Sequence, residues 1–300
     1  MYNLVLMALS ISVAAASSHS QIIRRAGDFS HPKGLVSLFS CLWRDRSLLW
    51  QMTKRDVTAR YRGSFAGLLW SLINPLLLLA VYTFVFGYMT ADHKNPASLA
   101  SLTKFAFELF AGLIVFNFFS ECLNRAPGLI LGNVNYVKKV VFPLEDFCWM
   151  AAGTALFNAA MSFVALLAAF GLASRGLPWT AAFLPVIFLP LLLFTIGFSW
   201  FLSALGVYVR DVGQIIGIVM MILMFLSPIF YPNAALPLWV KRLFLINPLT
   251  FPVEQVRAVI LHGTLPDWNG LVIYGALSLL MAWLGFAWFQ KARNGFSDVI

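Results

Sequence analysis

Residues 50–89 read WQMTKRDVTARYRGSFAGLLWSLINPLLLLAVYTFVFGYM, a charged segment that runs without a break into about twenty-five apolar residues. At about 1.5 Å of rise per residue, a helix of that length crosses the ~30 Å hydrocarbon core of a bilayer. In hydrocarbon every main-chain N–H and C=O has to be satisfied without water, so only helices and closed barrels span it. A barrel needs short strands of alternating polarity, and an uninterrupted run such as LLWSLINPLLLLAVYTFVF contradicts that pattern. The chain is therefore expected to be an all-α polytopic membrane protein. Composition agrees, with 60% of the 300 residues hydrophobic and 11% charged, where a soluble domain carries about a quarter charged residues.

Together the apolar segments predict six transmembrane helices over about 65–89, 105–131, 147–172, 181–209, 212–228 and 270–290. Both termini then lie inside, with a short cytoplasmic tail over 294–300. Charge sets this orientation. Of the 21 Lys and Arg residues only Lys94, Lys104, Arg175, Lys241, Arg242 and Arg257 fall on outer segments, and inner loops are where positive charge collects. The same bias accounts for the pI of about 9.7 without a nucleic-acid partner. Residues 4–16 form an apolar run that superficially resembles a secretory signal. No Lys or Arg precedes it, and it is too short to span. Residues 1–46 are expected to form a poorly ordered extension; cleavage after residue 16 would put the basic residues between 24 and 62 on the wrong side.

Ahead of the first span, residues 47–63 place Trp50, Val57 and Tyr61 at helical spacing with Thr53 beside them and Lys54 and Arg60 flanking. This predicts an amphipathic helix along the inner membrane face, either a basic anchor or a contact for a partner. Asn74-Pro75 interrupts the first span, and proline removes a main-chain donor there. The second span carries Glu108, Asn117, Glu121 and Arg125. Glu121 and Arg125 are four apart in acid-first order and are expected to pair on one face, in a structural or a functional role. The loop 131–146 holds Lys138, Lys139 and Pro143 and is cytoplasmic. Residues 228–266 contain two apolar stretches, 236–246 and 249–261, separated by Asn247-Pro248 and each too short to cross. They fit a re-entrant helix pair between the fifth and sixth spans. The cations Lys241, Arg242 and Arg257 in that region are candidates to serve a polar or anionic substrate.

Chemistry-bearing motifs are missing from the sequence. There is no GxxxxGK[ST] phosphate loop, no HExxH and no GxSxG, and Cys41, Cys122 and Cys148 are too scattered for a metal or redox site. The chain is expected to have no catalytic residues, to hold no metal and to bind no cofactor. Aromatics are abundant, and Trp179, Trp239 and Trp268 stand where an outer interfacial belt belongs.

Several of these features occur together in a familiar order. TKRDVTARYRGSFAGLLWSLINPL, six spans, then RDVGQIIGIVMMILMFLSPIFYP and LINPLTFPVEQVRAVILHG resemble the type-2 ATP-binding-cassette transporter permeases. The branch most similar exports lipid-linked polysaccharides such as O-antigen, capsule or teichoic acid. The resemblance covers roughly 47–293 and rests on Arg60-Tyr61-Arg62, Leu69-Trp70, KVVFP over 139–143, Arg210-Asp211, Ser227-Pro228, and Asn247-Pro248 with Arg257 downstream.

It implies a homodimer in the cytoplasmic (inner) membrane, served by two nucleotide-binding ATPase subunits that hold ATP and Mg. It further implies that the basic helix and first inner loop dock on the ATPase, through Lys54, Arg55, Arg60, Tyr61, Arg62, Lys138, Lys139 and Pro143, with Arg210 and Asp211 nearby. Pro228, Asn247, Pro248 and Arg257 would shape an outer gate. Trp70, Tyr82, Phe86, Phe118 and Tyr231 are candidates, by position, to line the path of a lipid-linked glycan. Three other readings stand beside this one. They are the same architecture exporting a drug or small hydrophobic molecule, a membrane-embedded glycan enzyme, which would need a carboxylate cluster, and an ion-coupled carrier, which usually shows paired repeats.

Overall fold

The computed structural model describes residues 43–64, 66–90, 99–138, 142–174, 176–230 and 247–299, excluding the side chains of 86–90, 99–103, 137–138 and 297–298. The described residues form helices and turns, without strands, as the apolar periodicity requires. Helix α1 (Arg46–Tyr61) precedes α2 (Trp70–Thr90), α3 (Leu99–Arg125), the short α4 (Val134–Lys138), α5 (Asp146–Ser174) and α6 (Leu184–Tyr208). Then follow α7 (Val212–Phe225), α8 (Thr250–Ile260), α9 (Trp268–Ala292) and the terminal turn α10 (Phe296–Val299). The expected extension over 1–46 lies almost wholly outside the described residues.

The corner between α1 and α2 is made by Gly63 (φ +83°) and Gly67 (φ +51°). Nothing crowds a Cβ at either position, so it is the left-handed backbone that calls for glycine there. This corner turns a surface helix into a span within a few residues.

Helix α3 is the centre of the bundle. In its most apolar window 78% of the residues are buried, against 17% in the first span. It packs on α2, α5, α6, α7 and α8 through Leu109, Phe110, Ile114, Phe118 and Leu123. The closest helix pair is α6 with α9. A Cβ on Gly197 would stand 2.5 Å from the Met281 carbonyl oxygen, and one on Gly285 would overlap the Gly197 carbonyl. Membrane helices have no water-driven force between them, so close backbone approach at small residues holds them together.

Among the described residues, five helical segments are long and apolar enough to cross a membrane: Gly67–Val85, Lys104–Gly128, Asp146–Ser174, Trp179–Tyr208 and Trp268–Gly295. They correspond to five of the six expected spans. At the expected fifth, α7 has 14 residues, about 21 Å of helix. It stops at Leu226 because a residue ahead of proline is pushed out of the helical region, and Ser227 stands before Pro228. Of the expected re-entrant pair, α8 is present with 11 residues, and its companion stretch lies outside the described residues.

The helix expected ahead of the first span is present, but its packed side differs from the apolar stripe. Met52 and Val57 are its buried residues, while Trp50 is 71% exposed. The seated face runs through Met52, Thr53, Asp56, Val57 and Arg60, more polar than apolar, so hydrophobic periodicity misplaces it.

The α6–α9 contact yields a direct test. Gly285→Ala is expected to lower the thermal unfolding temperature of the detergent-purified protein, since overpacking costs about 1–3 kcal/mol. Gly275→Ala, on the same helix with 4.0 Å to the nearest side chain, should leave it within about 0.5 kcal/mol.

Candidate functional site

Polar side chains gather at three places. The first joins α1 to α3 and α5. Arg125 Nη2 donates to Asp56 Oδ1 at 3.1 Å and Oδ2 at 2.9 Å, and Thr154 Oγ1 donates to Asp56 Oδ2 at 2.8 Å. One turn along, Arg60 Nη2 lies 2.6 Å from Glu121 Oε1. Asn158 Nδ2 donates to both Glu121 oxygens at 3.1 and 2.9 Å, and Tyr61 Oη donates to Asn158 Oδ1 at 3.4 Å. Burial raises the Tyr61 phenol above its ordinary pKa. A Cβ on Gly153 would fall 2.8 Å from Thr53 Oγ1, so this glycine is what lets α1 lie against α5.

The expected pairing of Glu121 with Arg125 is therefore corrected. Their spacing does put them on one face, but each reaches across to an opposite charge on α1, which lies closer than a partner along the same helix. Arg60, expected on the docking side, has its guanidinium paired with Glu121 while its side chain stays 38% exposed.

The second place fixes the inner loop. Glu145 is 1% exposed, with Oε2 3.2 Å from Arg293 Nη1 and Oε1 3.3 Å from Gln290 Nε2. Its main-chain oxygen accepts from Trp200 Nε1 at 3.1 Å, and Arg293 Nη2 donates to the Phe142 carbonyl at 3.3 Å. Tyr136, Phe142 and Phe147 pack edge-on or tilted with ring centroids 5.1–5.6 Å apart. A cleft of about 250 Å³ opens between this loop and α1, lined by Leu48, Gln51, Met52, Arg55, Tyr136 and Phe142. Lys54, Arg55 and Arg62 are exposed, as are Arg210 and Asp211 after α6, while Pro143 is half-buried. The side chain of Lys138 and all of Lys139 lie outside the described residues.

The third place ties α7 to α8. Asn247 Nδ2 donates to the Leu226 carbonyl at 3.0 Å and to Ser227 Oγ at 2.8 Å, and Asn247 Oδ1 accepts from Leu249 N at 2.9 Å. Arg257 donates from Nε to the Glu108 carbonyl (2.8 Å), from Nη1 to Pro228 O (2.6 Å) and from Nη2 to Ile229 O (2.8 Å). Pro228, Asn247, Pro248 and Arg257 thus belong to one knot, with Pro248 following the Asn247 turn. The expectation that Arg257 serves an anionic substrate is corrected, because its three nitrogens are taken up by main-chain oxygens. Lys241 and Arg242 lie outside the described residues.

The aromatic path candidates scatter. Trp70 is 37% exposed and Tyr82 is half-buried. Phe118 is 1% exposed, packed on Phe188 at 5.4 Å, so it fills the core of the bundle. The Phe86 side chain and Tyr231 lie outside the described residues. Among the described residues no cluster of His, Cys, Asp and Glu could hold a metal ion. Asp56, Glu145, Asn158, Trp200 and Arg293 escaped the sequence reading. A usable signal existed for Asn158, a lone amide in an apolar span, and for Glu145-Asp146, an acidic pair in a basic loop.

Comparison with known proteins places these features. Residues 47–261 match the family described as ABC-2 type transporter. The chain is 28% identical over 269 residues to the O-antigen export system permease protein RfbA of Myxococcus xanthus, covering 89% of this chain and 100% of that one. RfbA of Klebsiella pneumoniae is 24% identical over 84% of this chain and 95% of its own length. The polysialic acid transport protein KpsM of Escherichia coli is 24% identical over 80% of this chain and 91% of its own.

The knot around Arg257 generates an expectation. Arg257→Met removes the donors of three main-chain carbonyls, each worth about 1–3 kcal/mol when left unsatisfied, so thermal unfolding of the purified protein should shift well downward. An unchanged unfolding temperature with lost export would instead assign Arg257 to substrate.

Proposed function

The chain belongs to the ABC-2 type transporter family, and on that premise we propose that it is the membrane-spanning subunit of an ATP-driven exporter of a lipid-linked polysaccharide. The match along 89% of the chain to a protein named as an O-antigen export permease carries the substrate reading. The sequence has no phosphate loop, so ATP and Mg belong on a separate nucleotide-binding subunit. That subunit docks from the cytoplasm on the exposed basic side of α1, at Lys54, Arg55 and Arg62, and on the cleft beside the inner loop.

Two copies form the exporter in the cytoplasmic membrane, each with six spans and both termini inside. The span that completes this count is α7, fifth in order, and its shape supports the dimer. It exposes Ile215, Ile218, Val219, Met221, Ile222 and Phe225 along one side. An apolar helix shorter than the bilayer is relieved by oligomerising. Helix α2 exposes Leu76, Leu77, Val81 and Phe84 and offers a second face to the same partner. The polysaccharide path then runs between the two copies, with the α7–α8 knot at its outer end.

Depleting the protein tests the reading. Polysaccharide should disappear from the cell surface while its lipid-linked form accumulates in the cytoplasmic leaflet, measured by sugar analysis of both fractions. An unchanged surface glycan would replace polysaccharide with a drug or small lipid as cargo. Charge reversal at Lys54 and Arg55 together should lower co-purification of the ATPase by roughly ten-fold or more, as loss of rim charges with opposite-sign partners does.

A further inference from the structure

We propose that Asp56, Arg60, Glu121, Arg125, Thr154 and Asn158 form a two-rung register clasp that transmits displacement of α1 into α3 and α5. Three helices contribute, and on each the two residues are four apart: 56 and 60 on α1, 121 and 125 on α3, 154 and 158 on α5. Residues at that spacing stack on one helix face. The result is one rung of Asp56, Arg125 and Thr154 and a second of Arg60, Glu121 and Asn158.

The order of charges is what makes this a register device. Along α1 the sequence is acid then base, and along α3 it is also acid then base. The pairs formed are Asp56 with Arg125 and Arg60 with Glu121, so the two helices run in opposite directions past each other. A slip of α1 by one turn brings Arg60 onto Arg125, or Asp56 onto Glu121. Either slip sets like charges together. Apolar contact is non-directional, and α1 has only Met52 and Val57 buried. The clasp therefore holds α1 in register more firmly than its packing does.

Its ion-paired side chains are between 21% and 38% exposed, dry enough for charge-assisted hydrogen bonds to hold their geometry. Helix α3 carries the displacement onward. About thirteen residues beyond Glu121, some 20 Å along its axis, its Glu108 carbonyl receives Arg257 from the outer knot. These six are positioning residues. Arg60 belongs to the permease's own mechanics, where the family resemblance put it on the ATPase. The inference rests on the reading that α1 docks on an ATPase.

The test is a double-mutant cycle on the full permease–ATPase complex. Its readouts are co-purification of the ATPase, ATP hydrolysis in proteoliposomes, and surface polysaccharide of cells carrying the same variant. Arg60→Glu and Glu121→Arg should each keep ATPase binding and hydrolysis while surface polysaccharide falls roughly ten-fold. The exchange R60E/E121R, which restores an opposite pair, should recover most of that loss. The milder Arg60→Gln and Glu121→Gln should move in the same direction if the reversed variants do not fold. Loss of the ATPase from Arg60→Glu alone, without rescue in the exchange, would overturn the clasp and return Arg60 to the docking surface. Additive defects in the exchange would overturn it too. Failure of the docking reading is seen separately, as co-purification that Lys54 and Arg55 reversal does not change.

Discussion

A chain in hydrocarbon has to satisfy every main-chain carbonyl from within, and each departure from helix in this bundle shows how it is done. At the end of α7 the helix breaks ahead of Pro228, leaving carbonyls of Leu226, Pro228 and Ile229 without intrahelical donors. Asn247 takes the first and Arg257 the other two. The guanidinium suits this task because its donors are fixed in a plane and fan outward. Without these side chains α7 would end on unsatisfied carbonyls, and α8 would be held against α3 only by apolar contacts such as that of Val253.

The same requirement explains why the bundle is close-packed at glycine. Between α6 and α9, between α6 and the turn at Pro127, and between α1 and α5, a missing Cβ lets backbone approach backbone or side chain. Small residues give van der Waals contact where no hydrophobic force distinguishes protein from lipid. Large side chains fill the spaces between these close approaches, Trp200 on α6, Phe147 on α5, Phe286 and Phe289 on α9 and Phe118 on α3 among them. Phe118 illustrates the consequence. An aromatic ring in a span reads as a conduit candidate, yet on α3 it is a core residue on Phe188.

What was legible in the sequence was one-dimensional. The long spans are runs of apolar residues of sufficient length, and five of them need no tertiary information. The end of α7 was also written there, in Ser227-Pro228, close to where the expected fifth span over 212–228 stops. Partners across helices were not legible. Glu121 and Arg125 announce a shared face, and nothing in their spacing says that Arg60 and Asp56 stand opposite. The face of α1 was misplaced for the same reason: it is seated by hydrogen bonds, and apolar periodicity cannot see those. The signal that could have found it is the repeated spacing of four, at 56/60, 121/125 and 154/158, on three helices whose inner ends meet.

The two polar joints of the bundle use different chemistry. Where α1 meets α3 and α5 the ion-paired side chains are 21–38% exposed, so carboxylates and guanidinium groups keep directional, charge-assisted attraction. At the knot between α7 and α8 the hydrogen bonds of Arg257 go to main-chain carbonyls, two of which the broken helix leaves to be satisfied. One arrangement favours a joint that holds its register while its helices move together. The other favours a rigid corner. Helix α3, buried along most of its length, joins the two, so a displacement at one end has no soft element in which to dissipate before it reaches the other.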